Sequence, residues 1–187
     1  MLKDILKFYK NFPKEGINFV DIIPFLQSKQ SMREITAALD GVITAPNVVA
    51  PEARAFLFAT PLLCSNGVVE DVVPLRKSGK LPFNEGDLME VKITKEYGFD
   101  KLYYRLSDIE TCREDSDTIY ITLLDDVLAT GGTAEGVARS LESLTVMKNG
   151  KQYRIKIKEF VFLVGIPEIH GSERLEKIAP VHCLMEI

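Results

Sequence analysis

The stretch over residues 119–133 limits the fold of this chain more than any other. It opens with a continuous apolar run rich in β-forming residues, which is typical of a buried strand in a parallel sheet. Two adjacent carboxylates, Asp125 and Asp126, follow the run, then a loop of small residues, and a helix is predicted over 133–144. A strand, a loop and a helix in this order predict an α/β fold, in which ligands bind at the carboxyl ends of the strands.

The loop after the carboxylates has the composition of a phosphate site. Its glycines can present successive backbone N–H groups, its threonines can donate hydroxyls, and the next helix adds the positive end of its dipole. The predicted phosphate ligands are Ala129, Thr130, Gly131, Gly132 and Thr133. Asp125 and Asp126 suit vicinal hydroxyls, directly or through Mg²⁺ and its waters. A ribose that carries a 5′-phosphate satisfies both halves, and a plain strand–turn–helix junction explains the paired carboxylates less well.

The loop also excludes two common nucleotide-binding motifs. It contains neither the G-K-[ST] of a Walker A loop nor the G-x-G-x-x-G of a dinucleotide fingerprint. An ordinary kinase or dehydrogenase is therefore disfavoured.

The rest of the chain predicts a single domain over residues 1–187, with a doubly wound, mostly parallel sheet, flanking helices and an antiparallel flap. A short helix is predicted over residues 2–9, and a second helix is predicted to open at Ser31 with Glu34 completing a capping box. Alternating apolar residues predict a hairpin flap within 84–108, with Glu96 near its tip.

Charge, cysteine usage and hydropathy narrow the class of protein further. The 23 Lys and Arg against 27 Asp and Glu give a net charge of −4, which argues against general nucleic-acid binding. The three cysteines are far apart and form no C-x-x-C pair, so neither a zinc knuckle nor a disulfide framework is expected, and a reducing cytosol fits best. Charges interrupt the N-terminus, and no uncharged apolar stretch approaches the ~18 residues of a membrane span, so no membrane association is expected.

The phosphate loop resembles the phosphoribosyl pyrophosphate (PRPP) motif of type I phosphoribosyltransferases, and the wider pattern is similar to the adenine phosphoribosyltransferase family. Five further segments resemble that family's F-P-x-x-G-x-x-F-R-D-I, E-A-R-G-F-x-F, R-K-x-G-K-L-P, L-E-Y-G and G-R-E-R-L patterns. In chain order they are residues 11–22, 52–58, 76–82, 95–98 and 170–175. Each short piece alone is weak, but five in family order around a near-complete PRPP motif form a specific pattern.

The resemblance implies a pyrophosphate site opposite the phosphate loop. Its predicted ligands are Arg54, Arg76, Lys77 and Lys80, because Arg suits bidentate phosphate contacts and Lys acts as a point charge. Taken alone, these residues read more simply as a solvated basic turn. In the family the peptide at Glu52–Ala53 helps to shape the same loop.

The resemblance also implies an acid–base group and a base pocket. Glu96 corresponds to the family's candidate general acid or base, and Tyr97 either closes over the site or packs the flap. Asn18, Phe19 and Val127 are expected to flank the base, within an N-terminal base-pocket segment over residues 1–30. A core position is a nearly equal alternative for Phe19 and Val127.

Several positions depart from the family pattern. Val20 replaces the Arg of F-R-D, Ala55 replaces the Gly of E-A-R-G-F, and Phe83 follows K-L-P where Gly is usual. Glycine permits backbone conformations that alanine does not, so the Ala55 difference bears on the pyrophosphate loop.

The function that the resemblance implies is adenine phosphoribosyltransferase activity, a pentosyl transfer of purine salvage in which adenine and PRPP give AMP and pyrophosphate with Mg²⁺. The metal is expected to bind mainly through PRPP and water, with no direct protein ligand. One alternative is transfer to hypoxanthine, guanine or xanthine, and another is a PRPP- or nucleotide-sensing homologue without catalysis. By analogy with the family, a cytoplasmic homodimer is expected.

Overall fold

The computed structural model describes residues 2–95 and 98–187. The strands are β1 (Lys7–Lys10), β2 (Asn18–Asp21), β3 (Asn47–Pro51), β4 (Asp71–Leu75), β5 (Leu88–Lys95), β6 (Gly98–Arg105), β7 (Thr118–Leu128), β8 (Thr145–Lys148), β9 (Lys151–Gly165) and β10 (Val181–Glu186). The α-helices are α1 (Ile23–Leu26), α2 (Lys29–Val42), α3 (Arg54–Ala59), α4 (Leu106–Thr111), α5 (Gly132–Glu142) and α6 (Gly171–Leu175). Short 3₁₀ helices cover Leu2–Ile5, Thr60–Cys64 and Pro167–Ile169.

The central sheet has the strand order β10-β9-β7-β3-β4, and these five strands are parallel. Strand β8 adds an antiparallel pairing to the start of β9. The middle strands are buried almost throughout because helices or the flap cover both faces of the sheet. The predicted mostly parallel sheet with flanking helices is confirmed.

Two hydrophobic clusters lie on opposite faces of this sheet. On one face α1, α2 and α3 pack around Phe25 and Phe58, whose rings meet edge to face at 6.5 Å. On the other face α5 and the β5–β6 hairpin pack around Tyr104, whose hydroxyl lies 3.2 Å from that of Ser140. The hairpin is therefore joined to the main body at its base.

A second attachment ties the flap to the central sheet. Beyond the end of β4, Arg76 and Tyr103 exchange backbone hydrogen bonds of 2.8 and 2.7 Å. The antiparallel pairing of β5 with β6 confirms the predicted hairpin. None of the helices in the described part of the chain has the length and apolar character needed to cross a bilayer.

Three local predictions were wrong. The helix expected over residues 2–9 is a 3₁₀ turn followed by β1, because Lys7–Lys10 pairs with β2. Helix α2 begins earlier than Ser31: the side chain of Ser28 accepts the Ser31 N–H at 3.1 Å and caps the helix, so no Ser31–Glu34 capping box forms. Strand β7 runs four residues further than the apolar run, which ends at Leu124, and it carries both carboxylates.

Candidate active site

Three neighbouring parallel strands end at the same edge of the sheet and bring distant segments together. Pro51 at the end of β3 pairs with Leu75 at the end of β4, and β3 also pairs with β7. The residues that follow these strands therefore surround one space. Two cavities occupy it.

The smaller cavity, of about 100 Å³, lies at the start of α5. Its lining residues are Asp125, Val127, Leu128, Ala129, Thr130, Gly131, Gly132, Thr133, Ala134 and Phe162. It thus brings together all five predicted phosphate ligands. Gly131 precedes the helix with a φ of 72°, a left-handed conformation that glycine adopts without strain. The free N–H groups and positive dipole end of α5 make this cavity suitable for a phosphate group.

The phosphate loop is held from behind by the start of α6. A Cβ atom on Gly171 would lie 2.0 Å from the carbonyl oxygen of Ala129, and one on Gly131 would lie 2.9 Å from that of Gly171. Two backbones can approach this closely only because both residues are glycines. The 170–175 segment therefore supports the loop.

The paired carboxylates face the space between the two cavities. Asp126 is 6% exposed, and its Oδ2 is buried. Nε of Arg54 lies 2.6 Å from this oxygen in an ion pair. Burial, and then the charge of Asp126, raise the pKa of Asp125 well above its ordinary value. The carboxyl oxygens of Asp125 and Asp126 can accept hydrogen bonds from the hydroxyls of a ligand.

The larger cavity, of about 610 Å³, continues from the smaller one, with which it shares Asp125, Val127 and Thr133. Its lining residues are Pro51, Glu52, Ala53, Arg54, Lys77, Ser78, Ile93, Asp100, Lys101, Leu102, Asp125, Asp126, Val127 and Thr133. Two of the predicted pyrophosphate ligands, Arg54 and Lys77, line this cavity.

The other two predicted pyrophosphate ligands contact a carboxylate instead. Arg76 donates through Nε to Glu52 at 2.7 Å, and Nζ of Lys80 lies 3.4 Å from the same carboxylate. Burial raises the pKa of Glu52, but the bonds from Arg76 and from the Lys77 backbone, with the charge of Lys80, hold that pKa below its ordinary value. Neither cation is among the residues that line the larger cavity.

The predicted base-pocket residues lie beside Arg54. Phe19 is half-buried, its ring meets Phe12 edge to face at 5.2 Å, and the Arg54 guanidinium lies 5.4 Å from its centroid. Val127 lines both cavities and Asn18 is exposed. Val20, which replaces the family's Arg, is 4% exposed and belongs to the core.

The predicted acid–base residue Glu96 and the flap residue Tyr97 lie outside the described residues. Sequence reasoning also missed two groups that the structure reveals. The Glu52 carboxylate pairs with two predicted pyrophosphate ligands, Arg76 and Lys80, and Lys101 lines the larger cavity from the flap. The available signal for Glu52 was its position directly after one strand, while the basic segment that contains Arg76 and Lys80 follows the next strand.

Among residues 2–95 and 98–187, no three His, Cys, Asp or Glu side chains come together as a metal-binding group. The carboxylates of Asp125 and Asp126 are hard oxygen donors, which Mg²⁺ prefers while keeping several of its waters. The residues present therefore fit a metal that arrives with a phosphorylated ligand.

The chain is similar to several known proteins over nearly its whole length. An adenine phosphoribosyltransferase of Clostridium tetani (strain Massachusetts / E88) is 35% identical over 179 residues, which are 94% of this chain and 92% of that protein. The crystal structure of adenine phosphoribosyltransferase from Rhodothermus marinus DSM 4252 matches with a TM-score of 0.78 at 30% identity, covering 100% of this chain and 96% of the other. The enzyme from Saccharomyces cerevisiae, solved with an imino-altritol bisphosphate and adenine, matches with a TM-score of 0.75 at 29% identity over 96% of this chain and 94% of that one. No family model matches the chain.

Proposed function

Because the chain belongs to the adenine phosphoribosyltransferase family, we propose that it transfers the 5-phosphoribosyl group of PRPP to adenine and releases AMP and pyrophosphate. The observation that carries this proposal is the pair of adjoining cavities. One is a glycine-lined cradle at a helix N-terminus, and the other is a larger space lined by carboxylates and cations. A ribose with a phosphate at one end and a pyrophosphate at the other fits both cavities, because each of its charged ends meets groups that bind anions.

We assign a part of PRPP to each group of residues that lines the two cavities. The cradle over residues 129–133 takes the 5′-phosphate, and Asp125 and Asp126 accept hydrogen bonds from the ribose hydroxyls. Arg54 and Lys77 face the pyrophosphate from the larger cavity. Arg76 and Lys80 reach it after leaving Glu52.

In the transfer, the bond from ribose C1 to the pyrophosphate oxygen breaks, and the electron pair leaves with pyrophosphate. A ring nitrogen of adenine forms the new bond to C1 and loses its proton. By family resemblance that proton passes to Glu96, while the flap over 84–108 excludes the water that hydrolyses PRPP. The cations at the pyrophosphate end stabilise the negative charge that develops there.

Mg²⁺ bound to PRPP would neutralise part of the charge of the pyrophosphate leaving group. Asp125 and Asp126 are the residues that would face it, through water and the ribose hydroxyls. Removal of divalent cations by a chelator is therefore expected to abolish turnover, and added Mg²⁺ is expected to restore it.

We place the adenine ring against Phe19, which contacts Phe12, with Val127 on the neighbouring wall and Asn18 at the rim. We assign residues 1–30 to this base pocket and treat residues 1–187 as one catalytic domain. By family analogy the enzyme is a homodimer. The free thiols of Cys64, Cys112 and Cys183 suit a reducing compartment, and we place it in the cytoplasm.

A direct test incubates the purified protein with Mg²⁺, PRPP and each of adenine, hypoxanthine, guanine and xanthine, with nucleotide and pyrophosphate measured separately. AMP from adenine alone is the expected result. Turnover with another base would keep the mechanism and overturn the base assignment. PRPP binding without turnover would overturn the enzyme and favour a sensor.

A further inference from the structure

The Glu52 carboxylate lies where two strand ends converge. Its backbone N–H donates to the carbonyl of Leu75 at 2.8 Å, which continues the pairing of β3 with β4 by one residue. Its side chain is only 6% exposed. The carboxylate is therefore held in place, whereas the side chains of Arg76 and Lys80 are 35% and 57% exposed.

Two cations of the proposed pyrophosphate site are engaged by this one carboxylate. Nε of Arg76 lies 2.7 Å from one oxygen and Nζ of Lys80 lies 3.4 Å from the other. The Arg76 guanidinium also lies 5.9 Å from the ring centroid of Phe56, which steadies it on the far side. In this arrangement Glu52 lines the larger cavity while Arg76 and Lys80 do not.

These contacts have a consequence for binding. A pyrophosphate group needs the same donors that the carboxylate holds, because both are anions that prefer the guanidinium and ammonium N–H groups. The carboxylate also keeps the two cations close together when no anion is bound, whereas without it they would repel one another.

We propose that Glu52 is a positioning residue that holds Arg76 and Lys80 beside the larger cavity and competes with the pyrophosphate group of PRPP for them, an inference that rests on the proposed function. Binding of PRPP then exchanges one anion for another. The affinity for pyrophosphate is consequently lower than the four cations alone would give.

The test is Glu52→Gln, which keeps the shape and one acceptor oxygen and removes the competing charge. Calorimetric titration with inorganic pyrophosphate and Mg²⁺ is expected to give a Kd about 5- to 10-fold lower than that of the wild type. The KM for PRPP is expected to fall in the same direction. The KM for adenine is expected to stay unchanged, which separates this role from a general effect on the fold.

The matched control is Asp117→Asn, which removes the same charge from an exposed ion pair with Arg154 of 2.6 Å. Asp117 precedes β7, at the opposite end of that strand from the carboxylates. This variant is expected to leave the Kd for pyrophosphate unchanged. In an Arg76→Gln background, Glu52→Gln is expected to raise the affinity for pyrophosphate by a smaller factor, because one of the two cations for which Glu52 competes is gone.

An unchanged or higher Kd for Glu52→Gln, in a protein that still makes AMP, would overturn the role proposed for Glu52 and leave the proposed function standing. An equal gain in the Arg76→Gln background would also overturn it. If the wild type neither binds pyrophosphate nor makes AMP, the proposed function fails together with this inference. Should Glu52→Gln melt well below the wild type, Glu52→Asp gives the same test, since the shorter carboxylate draws back from Arg76 and a smaller fall in Kd is expected.

Discussion

The close contact between the phosphate loop and the start of α6 gives a prediction that the structure makes quantitative. In Gly171→Ala, the new Cβ atom would lie 2.0 Å from the carbonyl oxygen of Ala129, which falls 1.4 Å short of the 3.4 Å at which ordinary contact begins. The nearest atoms are backbone atoms of Ala129 and Gly131, so no side-chain rotation relieves the clash. The loop must move away from α6 by about the missing distance.

That displacement is expected to affect binding more than folding. Overpacking of this kind costs ~1–3 kcal/mol of stability, which a domain of ordinary stability survives. A misplacement of about 1 Å in a substrate-positioning group can cost ~10²-fold in rate. We therefore expect the kcat/KM for PRPP to fall by about 10- to 100-fold, while the melting temperature drops by only several degrees.

The assay is AMP formation at varied PRPP, with thermal unfolding of the same samples. Gly41→Ala is the matched control, because Gly41 lies within α2 with nothing within 4 Å of its Cβ position. That substitution is expected to raise stability by about 0.5–1 kcal/mol and to leave the kinetics unchanged. A folded Gly171→Ala enzyme with a wild-type kcat/KM for PRPP would refute the reasoning that α6 positions the loop.

Three further outcomes follow from individual side chains. Glu159 is 4% exposed and accepts a hydrogen bond from Thr122, among others. Burial raises the pKa of Glu159, but these hydrogen bonds lower it overall. Its contribution to the free energy of unfolding is therefore full above a pH of about 4.3 and is lost as the pH falls through the lower pKa of the folded state. Glu159→Gln is expected to cost about 2–4 kcal/mol in urea unfolding at pH 7 and to flatten the acid limb of the stability profile, and an unchanged limb would contradict this. Asp126→Asn is expected to lower the kcat/KM for PRPP by about 10- to 100-fold, and a wild-type value would exclude Asp126 from ribose binding. Burial raises the pKa of Cys112 to about 12, so native labelling at pH 8 is expected to modify the exposed Cys64 and to spare Cys112 until unfolding; equal labelling rates would contradict its burial.

Local patterns predicted the elements with the strongest periodicity and failed where pairing decided the outcome. The alternation over 89–106 predicted the hairpin, and β5 and β6 form it. Residues 2–9 have helical spacing, yet Lys7–Lys10 pairs with β2 as a strand. A four-residue strand has too few residues to show a period, and β2, whose paired residues lie 8 to 14 positions further along the chain, supplies the hydrogen bonds that decide its conformation.

The phosphate cradle was predictable because all of its binding groups lie in one short segment. Residues 129–133 act through backbone N–H groups and small side chains that are contiguous in the chain, so their order alone describes the site. The long cations are different, because their reach exceeds the spacing between neighbouring residues. Whether Arg76 points at a cavity or at Glu52 depends on the strand that ends beside it.

The α/β class, the central strands and the loop that presents a phosphate cradle follow from local sequence, because each rests on local period and local residue chemistry. The tertiary structure alone decided that Glu52 lies against Arg76 and Lys80, that Arg54 joins Asp126 to Phe19, and that Gly171 supports the loop. These contacts join residues that are far apart in the chain. They form only when parallel strands end at one edge of the sheet, which no local pattern specifies.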